Sequence, residues 1–269
     1  MRTRDQDILT PFAITPAYSR RTLLKAAAAV TAGAVLPYRA SAAAGEIGMH
    51  CLSVLYPNGE DIHFDHDYYR DKHLSLIMRL YGKSIKRFEL RKALTAEGQP
   101  KPPCIAAVNI WIADPEAFEA LGAQHGPTLI ADVPNFTNAM PAIQNEEIYG
   151  VAGADLSVPA IGEQCLTILY PNEEGARFDP DYYRDKHLTL VMQLYGEKAI
   201  KRFEMRRGLS AQDGSKAPYA ATVNIYVNDA QAFAEAGPKH GETLRKDLPN
   251  FSSVTPTAES TEIYGLANT

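Results

Sequence analysis

Only three cysteines occur in 269 residues, Cys51, Cys104 and Cys165, and none lies in a CxxC pair or at a Cys/His ligand spacing. An odd count without ligand spacing argues against a disulfide framework or a zinc site, which an oxidising compartment would otherwise favour, so the thiols read as small buried hydrophobes. A GxGxxG fingerprint, a P-loop and a nucleophile elbow are also missing, so no motif supports a nucleotide-dependent reductase. Long apolar runs are missing too. The most hydrophobic stretch, AAAAVTAGAVL at 26–36, is too short to span a bilayer unaided.

That stretch follows SRRTLLK (19–25) and precedes small residues at Ala40, Ser41 and Ala42. A positive segment, a short apolar segment and an A-x-A site describe a cleaved export signal over residues 1–42, and the pair Arg20-Arg21 resembles the twin-arginine class. The alternative, an N-terminal helix packed on the domain, is disfavoured by Arg39 and the alanine-rich run. Destination would then be the periplasm or the exterior. Residues 1–42 hold six of the 27 Lys+Arg and two of the 32 Asp+Glu, leaving 21 against 30 and a net charge near −9. Without a basic stripe, such a chain suits neither nucleic acid nor an anionic membrane surface.

What is present is a repeat. DYYRDKHL occurs at 67–74 and again at 181–188. Around it CLSVLYPN (51–58) matches CLTILYPN (165–172) at an offset of 114, and one residue inserted near Glu197 makes the offset 115 thereafter. IKRFEL (85–90) then matches IKRFEM (200–205), HGPTL (125–129) matches HGETL (240–244), and EIYG recurs at 147–150 and 262–265. Two units of about a hundred residues, each able to bury a core, predict a fused pseudo-symmetric dimer rather than a solenoid.

Each unit reads as β-α-β-β-α-β. The first strands end at Pro57 and Pro171. The first helices are capped by Asp65 and Asp179, with Pro180 at the first helical position, and stop at Gly82 and Gly196. Helical spacing puts Tyr69, His73, Leu76, Ile77 and Leu80 on one stripe, mirrored by Tyr183, His187, Leu190, Val191 and Leu194, so both histidines lie on a buried or half-buried face. Strand two alternates Ile85, Arg87, Glu89 and Arg91 against Lys86, Phe88 and Leu90. Strand three alternates Val108, Ile110 and Ile112 against Ala107, Asn109 and Trp111. One sheet face is aliphatic enough to carry helices; the other is polar and aromatic and should meet a second sheet or line a cavity.

The Y-x-x-x-H element, the D-x-P-N-F segment after the second helix and the terminal E-x-Y strand resemble the EthD family of the dimeric α/β-barrel superfamily. The likeness covers about 48–150 and 162–265, with 151–161 as linker. Departures are the tandem arrangement and Leu74-Ser75-Leu76, where the family commonly has small-Pro-Leu after the histidine. The resemblance implies an α+β fold: two ferredoxin-like β-α-β-β-α-β units fused into one pseudo-dimeric α/β barrel, with a pocket between sheet and helices. It also implies variously annotated oxidoreductases, cyclases and isomerases.

Histidine with an ordinary pKa near 6.5 suits proton transfer at neutral pH. His73 and His187 are therefore the candidate acid/base groups, with Tyr69 and Tyr183 to orient them or bind a substrate oxygen. Tyr56, Tyr170, His125 and His240 are candidate ligand contacts. Holding the helix to the sheet would explain the repeated histidine equally well. For His125 and His240, capping of helix carbonyls is the simpler role. Asp132 and Asp247 read as caps or solvated acids, and the arginines and glutamates of strand two as ion pairs between units. His50, His63 and His66 have no histidine counterpart. A small aromatic or oxygenated compound is the expected partner, turned over by histidine acid/base or cofactor-free oxidoreductase chemistry, with no cofactor and no metal. A non-catalytic periplasmic binding protein and a haem protein with His73 as axial ligand remain as alternatives. Beyond the intramolecular pseudo-dimer, a homodimer of chains is also open.

Replacing Arg20 and Arg21 together by lysine should stop export. Fractionation is expected to find the full-length precursor in the cytoplasm, whereas the exported wild-type chain should have the mass of a protein starting just after Ala42.

Overall fold

The computed structural model describes residues 46–95, 101–153 and 155–268; the signal segment 1–42 lies outside them. The first unit comprises β1 (His50–Pro57), α1 (His66–Tyr68), a π-helical turn (Tyr69–His73), α2 (Leu74–Tyr81), β2 (Ile85–Ala93), β3 (Cys104–Ile112), α3 (Pro115–Asp132) and β4 (Ala142–Gly153). The second repeats it: β5 (Gln164–Pro171), α4 (Pro180–Tyr182), a second π turn (Tyr183–His187), α5 (Leu188–Ala199), β6 (Ile200–Ala211), β7 (Tyr219–Val227), α6 (Ala230–Phe251) and β8 (Thr257–Asn268). The β-α-β-β-α-β reading holds in both units. The closing strands run further than the repeat boundaries suggest. Val151, Ala152 and Gly153, assigned to the linker by sequence, pair with Glu204, Phe203 and Arg202 and belong to β4.

Within each unit the strand order is 4-1-3-2, leaving the second and fourth strands as open edges. The units cover these edges for one another: β2 pairs with β8 and β4 with β6, all antiparallel, giving the closed barrel β1-β3-β2-β8-β5-β7-β6-β4. Closure removes every free edge. The architecture is two ferredoxin-like units fused into one pseudo-dimeric α/β barrel.

Local sequence accounts for the helix ends. The Asp65 carboxylate accepts from the Tyr68 backbone N–H at 2.9 Å and Asp179 from that of Tyr182 at 3.0 Å; Asp114 and Asp229 cap α3 and α6 in the same way. Gly82 ends α2 at φ +51°, where a side chain would be strained.

The π turns were not legible in the sequence. In each, the N–H of the following leucine bonds the carbonyl five residues back, Leu74 to Tyr69 and Leu188 to Tyr183. One residue more than an α turn needs is accommodated. That shifts the stripe: Tyr69 and His73 are buried as expected, but the buried face continues through Leu74, Ile77 and Tyr81, leaving Leu76 and Leu80 half-buried.

The two sheet faces separate two interiors. Phe88, Leu90, Val108 and Ile110 pack under the first unit's helices; Phe203, Met205, Val223 and Ile225 do so in the second. Ile85 joins this helix-side core instead of sharing a face with Arg87. A one-residue bulge opposite Ile112 and Trp111 switches the strand's phase there.

Inside the barrel, the polar faces meet as a buried ion network. Glu204 Oε2 receives Arg202 Nη2 at 2.9 Å, Trp111 Nε1 at 3.2 Å and Arg87 Nη2 at 3.3 Å. Its counterpart Glu89 receives Arg91 Nη2 at 2.7 Å and the Tyr226 hydroxyl. Arg91 reaches Asn224 across the lumen, and Arg206 reaches Asn109 and Glu146. Burial alone would raise the Glu204 pKa, but Arg206, Arg87, Arg202 and Arg91 outweigh it and keep the carboxyl below its ordinary range. Arg87–Glu204 and Arg206–Glu146 join the two units, the role the sequence suggests for these residues, whereas Arg91–Glu89 and Arg202–Glu204 pair within one unit.

Removing one partner of such a network leaves buried charges uncompensated. Glu204→Ala should cost about 3–5 kcal/mol of unfolding free energy, whereas the cap variant Asp179→Ala should cost about 1 kcal/mol. Urea unfolding monitored by circular dichroism compares the two.

Candidate functional site: a histidine–aspartate pair in each unit

The first π turn sets His73 beneath the end of α3. Its Nδ1 lies 2.8 Å from Asp132 Oδ2, and the other carboxylate oxygen accepts from the Tyr68 hydroxyl at 2.9 Å and Asn135 Nδ2 at 2.8 Å. The second unit repeats this: His187 Nδ1 is 2.8 Å from Asp247 Oδ2, and Asp247 Oδ1 accepts from Tyr182 at 2.9 Å and Asn250 at 2.8 Å. A carboxylate on Nδ1 fixes the tautomer, with the Nδ1 proton donated to it. Nε2 has no hydrogen-bond partner among the described residues in either unit, so its lone pair is available.

Aromatic rings hold the imidazole in place. Phe136 packs 4.7 Å and Tyr69 4.8 Å from the His73 ring centroid; Phe251 and Tyr183 stand at 4.6 and 5.0 Å from His187. His73 is 4 % exposed and His187 7 %. Burial lowers both histidine pKa values, and the facing carboxylate offsets this only partly, so both rings are neutral at pH 7. Burial would raise Asp132 and Asp247, but the hydrogen bonds from the histidine, asparagine and tyrosine win and hold them below the ordinary carboxylate range. A neutral imidazole backed by a carboxylate is a poised general base.

The candidates from sequence divide into two groups. His73, Tyr69 and Tyr56 come together: the Tyr56 ring lies 6.0 Å from Tyr69 and from Phe136, and Tyr170 sits equivalently beside Tyr183 and Phe251. Tyr69 touches His73 through its ring, while orientation of the imidazole falls to Asp132. His125 and His240 lie half-buried two turns before Asp132 and Asp247 on α3 and α6, about 10 Å along the axis. They do not join the pair.

The sequence suggests caps or solvated acids at Asp132 and Asp247; in the structure each is instead the carboxylate of the pair. The signal was there, since DVPNF and DLPNF recur at the repeat offset. Each segment supplies the aspartate, the asparagine that braces it and the phenylalanine packed on the ring. Among the described residues, no group of three His, Cys, Asp or Glu side chains is arranged to hold a metal.

The family of twin-arginine translocation (TAT) pathway signal sequences matches residues 17–37, so the chain carries the signal for export by that route. Among solved structures, an EthD-like protein from Ralstonia eutropha JMP134 is 29 % identical over 38 % of this chain and 92 % of its own, with a TM-score of 0.35. The length matched is close to one unit. This chain resembles EthD-like proteins. An anthrone oxidase-like protein, 11 % identical, covers 84 % of this chain and 94 % of its own at a TM-score of 0.55, a likeness of fold. A dye-decolorizing peroxidase from Bacteroides thetaiotaomicron covers 82 % and 94 % at 10 % identity and a TM-score of 0.47. No curated protein matches.

Two titrations follow from this geometry. Asp132→Asn removes the charge that opposes burial, so the His73 ring, followed by NMR of its carbon-bound protons, should titrate at lower pH than in the wild type. The second concerns stability. A depressed histidine pKa means that the unfolded chain binds the proton more readily. The stability contribution is complete above the unfolded value near 6.5 and is lost as pH falls toward the folded value. Glu259, raised by burial to about 7, works in the opposite sense. Comparison with a His73→Gln/His187→Gln variant therefore isolates the imidazoles: between about pH 7.5 and pH 5 the wild type should lose more unfolding free energy than the variant.

Proposed function

We propose that this exported protein binds a small aromatic or oxygenated compound between its helices and sheet and moves a proton on it with His73 and His187 as general bases. The observation that carries this reading is the duplicated pair: Nδ1 fixed by a carboxylate, Nε2 without a partner, the ring neutral and enclosed by aromatic side chains. In the step itself, Nε2 takes a proton from an acidic C–H or O–H of the substrate. The imidazolium so formed is stabilised by Asp132 or Asp247, and the proton returns to another atom of the same molecule. The electron pair left behind shifts within the substrate, so proton transfer needs no external oxidant. Tyr69 and Tyr56, with Tyr183 and Tyr170, supply the aromatic wall. Their hydroxyls are kept protonated by burial, which raises all four pKa values. After export, the periplasm is the proposed place of work.

The packing speaks against haem as the partner. The His73 ring is 4 % exposed with Tyr69 and Phe136 within 5 Å of it, a more enclosed setting than a macrocycle on Nε2 requires. Native mass spectrometry and an absorption spectrum of the exported protein check this point: a Soret band would replace the acid/base reading.

The decisive variant is His73→Gln/His187→Gln. With a compound that the wild type turns over, loss of the general bases should lower kcat by about a hundred- to ten-thousand-fold while binding survives. Unchanged kcat would overturn the reading. If no compound is turned over and the variant only weakens binding, the protein is a binding module.

A further inference from the structure

The two pairs are equivalent at the histidine, but the helices leading to them are not. Helix α6 buries Phe233, Ala236, Gly237, Gly241 and Leu244, whereas α3 has no buried residue over its whole length; Phe136 and Phe251, which follow in each unit, are buried alike. The counterparts Phe118, Leu121, Gly122, Gly126 and Leu129 are half-buried, and so is Met78 of α2, whose equivalent Met192 is buried. The first helix pair is therefore packed less closely along its inner seam. The outer faces differ in chemistry as well. Where α6 carries Lys239, Glu242, Arg245 and Lys246, α3 carries Gln124, Pro127, Ile130 and Ala131, with Ile130 67 % exposed.

We infer that the two duplicated sites have diverged, and that the seam between α2 and α3 is the mouth through which an uncharged, lipophilic small molecule reaches His73. Residues along the seam match that cargo. Tyr81 and Phe118 face each other at 4.8 Å, Leu121 and Leu129 follow along α3, and both leucines pack against the core cluster containing Tyr69 and Phe136. Leu129 precedes Asp132 by less than one turn, so the seam runs into the pair without a break. Charge at the rim would repel such a ligand only weakly but would hold water, and α3 has none between Ala120 and Ala131 apart from the half-buried His125. Few buried contacts also make α3 the element that separates at low cost. In the second unit, burial of the same positions and four outward charges make the equivalent path narrower and less suited to such a ligand.

This inference names the ligand class and entry of the site proposed above, but its test involves no turnover. In the exported protein, amides of α3 should exchange with deuterium about tenfold faster than those of α6. Nile red, a neutral lipophilic dye, should bind once per chain and slow exchange in α2 and α3 only. Leu121→Glu should weaken dye binding by about tenfold, because binding would bury a carboxylate. Ile130→Glu, at an exposed rim position, gives a second variant with an unperturbed fold and should act in the same direction. Equal exchange in α3 and α6, dye protection on α6 or on both helices, or dye binding indifferent to both variants would each overturn the divergence. Failure of the acid/base reading would show instead as undiminished turnover in the double histidine variant.

Discussion

Mutual neutralisation of arginine and glutamate inside the barrel is the constraint on which the rest depends. Arg87, Arg91, Arg202 and Arg206 are all buried, and so are Glu89, Glu146 and Glu204. A four-stranded unit alone would leave its share of these groups facing water on an open sheet. Closing β2 on β8 and β4 on β6 takes them out of water, and the cost of that desolvation is offset by pairing: Glu204 meets guanidinium groups of both units, Glu146 meets Arg206 of the other unit, and Glu89 meets Arg87 and Arg91 of its own and the Tyr226 hydroxyl of the other. Barrel closure and charge pairing are thus one event, and the lumen is occupied by structure.

With the lumen filled, the histidine–aspartate pairs lie on the other face of the sheet, and the repeated DYYRDKHL connects the two regions. Tyr68 and His73 reach the acid of their own unit. Asp67 and Arg70, on the same short segment, reach across to the closing strand of the other unit: the Tyr264 hydroxyl donates to Asp67 at 2.7 Å, Arg70 lies over the Tyr264 ring, and its side chain passes where a Cβ on Gly265 would stand. Arg184, Asp181, Tyr149 and Gly150 repeat this on the opposite side. Exposed ion pairs of this kind add little stability. Their effect is positional, since they fix the π turn that carries the histidine against a strand already held by the barrel.

Duplication within one chain allows what a symmetric dimer of identical subunits does not. Each half can change separately while the shared seam is kept. The first unit has a loosely buried α3 without Lys, Arg, Asp or Glu between Ala120 and Ala131; the second has a closely packed α6 with charges at the equivalent positions. Both retain the histidine, the aspartate and the aromatic rings. The halves therefore share the histidine–aspartate pair and differ in the packing and charge of the helix that carries the aspartate.

The repeat, the strand alternation, the capping aspartates and the export signal could be read in the sequence because they depend on neighbouring residues: period two in strands, a short oxygen acceptor before a helix, a charge beside an apolar run. Local reading also found His73 and His187. It did not find the π turns, for the YRDKH segments carry no propensity that separates five-residue from four-residue closure. Nor did it find the partner of the imidazole, because Asp132 lies 59 residues beyond His73 and looks like a helix-end acid until α3 is laid across α1. What the sequence by itself determined was two β-α-β-β-α-β units with a tyrosine and a histidine on each first helix. Only the tertiary structure decided that the polar sheet faces enclose ions and that each histidine rests on an aspartate, since both outcomes depend on surfaces that meet only when the barrel closes and the helices pack.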